Sequence, residues 1–260
     1  MNPPNECMYC GSLKDKDLTD EHIIPFGMGG DLVFRKSSCK SCAKKTSQDE
    51  MKILRGFMYD GRLVGNLPSR RKKNQPTTIT NILLRKDGTE FTKEFLLKSG
   101  AAVIHLPIFT EPGVIFGKAP EEGAEIKELS TLHLGLDSFA SFSKKNNVSG
   151  IKFNTKIDVI SFCKVLCKIA YGYHVYKKGL FPREESPALK IMLGEITTMK
   201  HWMGSRNAVY PEAKGLHVLN TEEIHLKNGV TMHMVYITLF HGMGVNSEYA
   251  VITRVCKKTI

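Results

Sequence analysis

The stretch that decides the fold of the N-terminal part is CMYCGSLKDKDLTDEHIIPFGMGGDLVFRKSSCKSC, residues 7–42. It begins and ends with a Cys-x-x-Cys pair, Cys7 with Cys10 and Cys39 with Cys42. The gap within each pair lets both thiolates reach one ion at about 2.3 Å, and two pairs complete a tetrahedral site. The alternatives are four unrelated cysteines or a redox motif. Two pairs in one frame favour structural zinc, because four protein ligands leave no open position for a catalytic water.

The segment around these pairs lacks the apolar residues for a core of its own. Residues 1–60 are dense in Cys, Gly and Lys. Structural zinc supplies on the order of 10–16 kcal/mol of apparent binding free energy to folding. The sequence therefore predicts that zinc holds this segment together.

The chain is strongly basic, with a formal net charge of +11 over 260 residues. Residues 31–75 hold twelve Lys or Arg against four acidic residues, a local net charge of +8. Such a balance favours a polyanionic partner, above all nucleic acid, over a neutral small molecule. The alternative for the run 70–73 is a solvated linker. The residues predicted to contact phosphates are Lys40, Lys44, Lys45, Arg70, Arg71, Lys72 and Lys73.

The chain shows neither a signal-peptide pattern nor an apolar run long enough to span a membrane. We therefore expect a cytoplasmic protein without a membrane partner. The remaining pattern predicts an α+β fold in three parts. These are a zinc-held module over 1–65, a basic connector over 66–78, and an α+β domain over 79–260.

Within the last part, two apolar runs around Asp87-Gly88 predict a hairpin. Apolar residues spaced three and four apart from Ile157 predict a helix that Gly179 ends, and a second helix is expected after Pro187, through Ile196. The C-terminal end predicts an antiparallel meander, with one turn at Asn228-Gly229. Residues 112–147 are too mixed to assign.

The segments CMYCG, DEHIIP, GG and SCKSCAKK follow one another within about the first 55 residues. This combination resembles the HNH endonuclease family, in the variants whose ββα-metal motif is stapled by zinc on four cysteines. The resemblance implies that Gly29-Gly30 turns the chain into the second strand and that the helix starts near Lys40. It extends no further along the chain.

The resemblance also implies roles for the Glu21-His22 pair. His22 matches the general base that deprotonates a water for attack on a phosphodiester, a role that suits imidazole. Glu21 matches a ligand of one catalytic divalent ion, Mg²⁺, Mn²⁺ or another, which stabilises the developing charge. Neighbouring residues on a regular strand point to opposite faces, so we expect the strand to be distorted here.

The sequence departs from the family pattern on the helix. The position just after the last cysteine, which usually carries an Asn or His metal ligand, is Ala43, and no Asn lies between His22 and Cys42 to orient the base. Asp31 is a substitute for orienting His22. The substitutes on the helix for a metal ligand are Thr46, Ser47, Asp49 and Glu50.

The leading interpretation is thus a metal-dependent endonuclease that hydrolyses DNA. An RNA-directed nuclease stays open, as does a catalytically silent zinc-knuckle protein that binds nucleic acid or acts as an adaptor. The part from residue 79 onward resembles no family. Target recognition, homo-oligomerisation and a regulatory partner are all compatible with it.

Overall fold

The computed structural model describes residues 4–13, 18–70, 72–207, 212–226, 229–244 and 247–257. The architecture is mixed α+β, as the sequence predicts, with six α-helices and antiparallel sheets within these ranges. None of the described helices is both long and apolar enough to cross a membrane.

The N-terminal part folds as two strands followed by a helix. Strand β1 (Thr19–His22) pairs antiparallel with β2 (Val33–Ser38), and helix α1 (Lys40–Arg55) follows. A single 3-10 turn, Phe26–Met28, lies between the strands and ends at Gly29, whose φ of 90° favours glycine. The ββα order, the turn at the glycine pair and the helix start at Lys40 are therefore confirmed.

The rest of the chain forms three further sheets and five helices within the described ranges. The strands are β3 (Thr78–Leu84), β4 (Glu90–Leu96), β5 (Ala102–Phe109), β6 (Ile126–Leu134), β7 (Gly150–Lys152), β8 (Met203–Asn207), β9 (Val218–His225), β10 (Val230–Thr238) and β11 (Ser247–Lys257). The helices are α2 (Tyr59–Val64), α3 (Phe139–Asn146), α4 (Val159–Lys178), α5 (Pro187–Leu193) and α6 (Met199–Trp202). The sheet orders are β4-β3-β7, β5-β6 and β8-β11-β10-β9.

Most local predictions for this part are confirmed. The Asp87-Gly88 turn joins β3 to β4, α4 ends at Gly179, and β9 to β11 form the C-terminal meander. The extension of the second helix to Ile196 is wrong, because Gly194 takes a left-handed φ of 76° and ends α5. Residue 228 of the second predicted turn lies outside the described residues.

Helix α4 is the centre of the main core and packs on α1, α5 and the four-stranded sheet. Its side chains are buried around most of its circumference, as expected of a helix without a solvent face. Its Tyr171 hydroxyl donates to the Met8 carbonyl at 2.6 Å. Its Gly172 lies against Ile23, where a β-carbon would sit 3.1 Å from the Ile23 side chain. The N-terminal ββα segment therefore shares its core with the C-terminal part. The domain boundaries at 65 and 78 stay a prediction.

His174, further along α4, is only 2% exposed. Its Nδ1 lies 2.6 Å from Thr253 Oγ1, whose hydroxyl donates to the His233 carbonyl, so Nδ1 carries the proton. Burial lowers the pKa of His174 to about 4, and its charged or titratable neighbours act in the same net direction. These neighbours are His233, Arg254 and Lys178, which lower the pKa, and Glu223, which raises it.

Acid should destabilise the fold through His174. Between pH 6.5 and about 4 the unfolded chain binds a proton at this residue that the folded chain rejects, so stability falls as pH falls through this window. We expect His174→Gln to lose about 3 kcal/mol less over this window than the wild type, as measured by urea unfolding. His225→Gln, at an exposed histidine, is the control. Equal pH profiles for His174→Gln and the wild type would contradict the assignment.

Candidate active site and zinc centre

The four cysteines predicted to bind zinc form one cluster. Their Sγ atoms all lie within 4.8 Å of one another, and Cys10 Sγ is 3.8 Å from Cys39 Sγ. Four sulfur atoms placed tetrahedrally about 2.3 Å from zinc are separated by about 3.8 Å. The cluster therefore fits a structural zinc ion.

Hydrogen bonds from backbone N–H groups to the cysteine sulfur atoms also favour the thiolate form that binds a metal. The Cys39 N–H donates to Cys7 Sγ at 3.3 Å, and the Cys42 N–H donates to Cys39 Sγ, which caps α1. The hydrogen bond between the Cys42 and Cys7 side chains lowers the pKa of Cys7 to about 4 and raises the pKa of Cys42. Because zinc binds thiolates, binding of the ion to these cysteines would release their protons.

A cleft of about 720 Å³ opens beside this centre, between β1, α1, α2 and residues 68–70 and 74–75. Glu21 and His22 both line it, together with Ala43, Thr46, Ser47 and Glu50 of α1. Asp49 instead accepts a hydrogen bond from Ser161 at 3.0 Å. Three of the four substitute ligands on the helix, Thr46, Ser47 and Glu50, therefore line the cleft. Asp49 and Asp31, the substitute for orienting His22, are not among the described residues that line it.

The two neighbouring residues reach one cleft because the strand pair is irregular there. The register shifts between Thr19 and Glu21, and β2 bulges opposite, where Lys36 has a φ of 44°. Asp20 accepts hydrogen bonds from the Lys36 N–H and the Arg35 guanidinium, both at 3.0 Å, which stabilises the bulge. The strand ends at His22.

His22 is half-buried, and its ring packs edge-to-face on Phe26 with the centroids 5.5 Å apart. Burial lowers the pKa of His22, and the positive charges of Arg70 and Lys168 lower it further. The imidazole is therefore neutral at pH 7 and can accept a proton.

Sequence reasoning missed Lys168 of α4, which reaches the back of the site. Its side chain is 2% exposed, and its Nζ lies 2.7 Å from Glu21 Oε1 and 3.0 Å from Glu50 Oε1. The same ammonium donates to the carbonyls of His22 and Ile23. Burial by itself lowers the pKa of Lys168, but the Glu50 and Glu21 carboxylates raise it above its ordinary value, so the side chain is charged.

One signal in the sequence pointed to such a residue. Lys168 interrupts an apolar helical stretch, between Cys167 and Ile169, and a lysine in that position is rarely buried without a partner. The sequence could not name the partner, because Glu21 and Glu50 lie more than a hundred residues away.

The residues around Glu21 also fit a divalent ion. Each carboxylate contacts Lys168 through one oxygen, and the side chains of Glu21 and Glu50 are 8% and 19% exposed in the cleft wall. The two glutamates and the lysine carry a summed charge of −1. One or two carboxylates completed by water form a common Mg²⁺ site. Ala43 supplies no ligand, and Glu21 and Glu50 are carboxylates in this cleft that could hold the ion.

The basic residues are only partly gathered at the cleft. Of the residues predicted to contact phosphates, Arg70 is among the described residues that line the cleft. Arg55 and Arg62, which were not predicted, also line it. Lys45 instead donates to the Leu193 carbonyl at 2.7 Å. Exposed side chains away from the lining are those of Lys40, Lys44 and Lys73, while Arg71 and the side chain of Lys72 lie outside the described residues.

Arg62 holds three walls of the cleft together. Its guanidinium donates to the carbonyls of Gly27 at 2.6 Å, Leu54 at 2.9 Å and Pro68 at 3.1 Å. We expect Arg62→Met to lower the free energy of unfolding by about 3 kcal/mol, because the charge-assisted hydrogen bonds are lost and the carbonyls stay partly buried. Urea unfolding measures this change. The control is Arg55→Met, which should change the free energy of unfolding little because Arg55 is exposed. Equal losses of stability in the two variants would contradict the role of Arg62.

Comparison with known proteins agrees with this geometry. The HNH endonuclease family model matches residues 7–53, the segment that contains the cysteine cluster, Glu21, His22 and most of α1. Neither the curated proteins nor the solved structures gave a match. The segment 7–53 is therefore similar to HNH endonucleases, and it carries a four-cysteine cluster that fits a zinc site.

Proposed function

We propose that this protein is a metal-dependent endonuclease that hydrolyses phosphodiester bonds of DNA. The observation that carries the proposal is the placement of His22 and Glu21 together in one open cleft, beside the four-cysteine cluster, within the segment that matches the HNH family. An imidazole and a carboxylate in one accessible cleft are the groups that metal-assisted hydrolysis requires.

In this proposal His22 is the general base. Its imidazole accepts a proton from the water that attacks phosphorus, and Phe26 restricts the ring by edge-to-face packing. Glu21, with Glu50 and water, would hold one divalent ion, Mg²⁺ or Mn²⁺, which when bound supplies positive charge at the reacting phosphate. The zinc on the four cysteines is structural and takes no part in the chemistry.

Basic residues of the segment 31–75 would bring the substrate to the cleft. Arg70 and Arg55 line the cleft, and the local net charge of this segment is +8. Contacts of this kind neutralise phosphates without reading the sequence, so binding should weaken steeply as salt is raised. The same charge suits RNA, so the nucleic acid has to be decided by experiment.

The test is cleavage of supercoiled plasmid by zinc-loaded protein freed of other divalent ions, with Mg²⁺ or Mn²⁺ added back. Nicking or linearisation that requires the added ion supports the proposal. Single-stranded DNA and RNA serve as competitors, and preferential cleavage of RNA would overturn the DNA part of it. Binding of plasmid without cleavage under all ions would overturn the nuclease and favour the nucleic-acid-binding alternative.

A further inference from the structure

Lys168 is the one described residue of α4 that places a charge between the strand and the helix of the ββα segment. Its ammonium contacts Glu21 from β1 and Glu50 from α1 at the same time, at 2.7 and 3.0 Å. Two carboxylates drawn to one ammonium are held near each other, although like charges repel. The separation of the two candidate ligands is therefore set by a residue of the C-terminal part.

The same side chain also fixes the backbone that carries the base. Lys168 Nζ donates to the carbonyl of His22 and, at 3.3 Å, to that of Ile23. These carbonyls lie at the end of β1, whose last residue is His22. A charged donor at this point restricts the orientation of the peptide that bears the His22 imidazole.

The buried position of this ammonium determines the charge that an ion meets. With a side-chain exposure of only 2%, Lys168 is poorly screened by solvent, and it neutralises one of the two carboxylate charges. A divalent ion in the cleft therefore meets a net charge of −1, where the two glutamates alone would present −2.

We propose that Lys168 is a positioning residue of the active site, which holds Glu21 and Glu50 side by side and limits the charge they present to the divalent ion. The nuclease part of the inference rests on the proposed function. Its consequence is an unusual pair of effects. Removal of the lysine charge should strengthen ion binding and at the same time slow cleavage, because the ion is held more tightly while the glutamates and the His22 backbone lose their fixed geometry.

The decisive variant is Lys168→Met, which keeps an unbranched apolar stem and removes the ammonium with its charge. Mn²⁺ binding to the zinc-loaded full chain, followed by electron paramagnetic resonance of free Mn²⁺ without nucleic acid, should tighten by at least about tenfold. Plasmid cleavage at saturating Mn²⁺ should fall through kcat. Lys168→Arg, which retains the charge, should return Mn²⁺ affinity to near the wild-type value. Lys178→Met, at an exposed lysine of the same helix, should change neither quantity.

A purely structural role for Lys168 predicts a different outcome, in which Lys168→Met weakens Mn²⁺ binding or leaves it unchanged, and that result would overturn the proposal. Because two buried carboxylates without a partner can prevent folding, Glu50→Gln provides a second test with Lys168 still paired to Glu21. It should weaken Mn²⁺ binding by at least about tenfold, and wild-type affinity in this variant would also overturn the proposal.

Failure of this inference and failure of the proposed function are distinguishable. A wild-type protein that binds Mn²⁺ with the expected changes in the variants, but cuts neither DNA nor RNA, overturns the nuclease and supports the role of Lys168 at the ion site. Cleavage by the wild type with unchanged Mn²⁺ affinity in Lys168→Met overturns the role of Lys168 and leaves the nuclease standing.

Discussion

Replacement of His22 by alanine is expected to slow plasmid cleavage by about 100- to 10,000-fold, the usual contribution of a general base. The loss should appear in kcat, because the imidazole acts on the attacking water and the basic residues that bind phosphates are unchanged. Single-turnover cleavage at saturating protein, with Mg²⁺ or Mn²⁺, measures the chemical step directly. DNA affinity in the absence of a divalent ion should stay near the wild-type value.

The His22 side chain is only half-buried and packs edge-to-face on Phe26, so alanine should not unfold the protein. Circular dichroism and zinc content check this point. His225→Ala, at an exposed histidine of β9, is the matched control and should cleave as the wild type does. If His22→Ala and the wild type cleave at the same rate, His22 is not the base. If neither protein cleaves, the proposed nuclease activity is wrong.

Loss of zinc should unfold the N-terminal part. Structural zinc contributes on the order of 10 kcal/mol to folding, which is comparable to the whole stability of a typical domain of about 5–15 kcal/mol. Cys10→Ala tests this most cleanly, because Cys10 is exposed and its replacement removes a ligand with little loss of packing. We expect zinc content to fall well below that of the wild type and the thermal transition to broaden or shift down strongly.

The effect should reach beyond the ββα segment, because Met8 and Tyr9 are buried in the same core as α4. Near-ultraviolet circular dichroism, which reports on the packing of Tyr9 against Tyr171, should change together with the loss of zinc. Cys256→Ala, at a cysteine outside the cluster, should retain full zinc content and stability. Full zinc occupancy and an unchanged transition in Cys10→Ala would contradict a four-cysteine structural site.

The local features of this protein could be predicted from short stretches of sequence. The two Cys-x-x-Cys pairs predict the four-cysteine cluster, because the two-residue gap within each pair lets both sulfur atoms reach one ion. The Asp87-Gly88 turn, the C-terminal meander and the long helix, predicted from Ile157 and found from Val159, follow from turn chemistry and periodicity. The second helix was predicted too long because apolar spacing continued to Ile196, whereas the left-handed conformation of Gly194 ends the helix first.

The sequence by itself determined the parts that short motifs specify, namely the four-cysteine cluster, the ββα order and the adjacent Glu21-His22 pair at the end of β1. Only the tertiary structure decided what surrounds that pair. It placed Glu50, rather than Asp49 or Asp31, on the same cleft as Glu21, and it brought Lys168 from a distant helix to bind both glutamates. The physical reason is that a buried charge requires an opposite charge, and the position of that partner depends on the packing of α4 against α1, which no local pattern records.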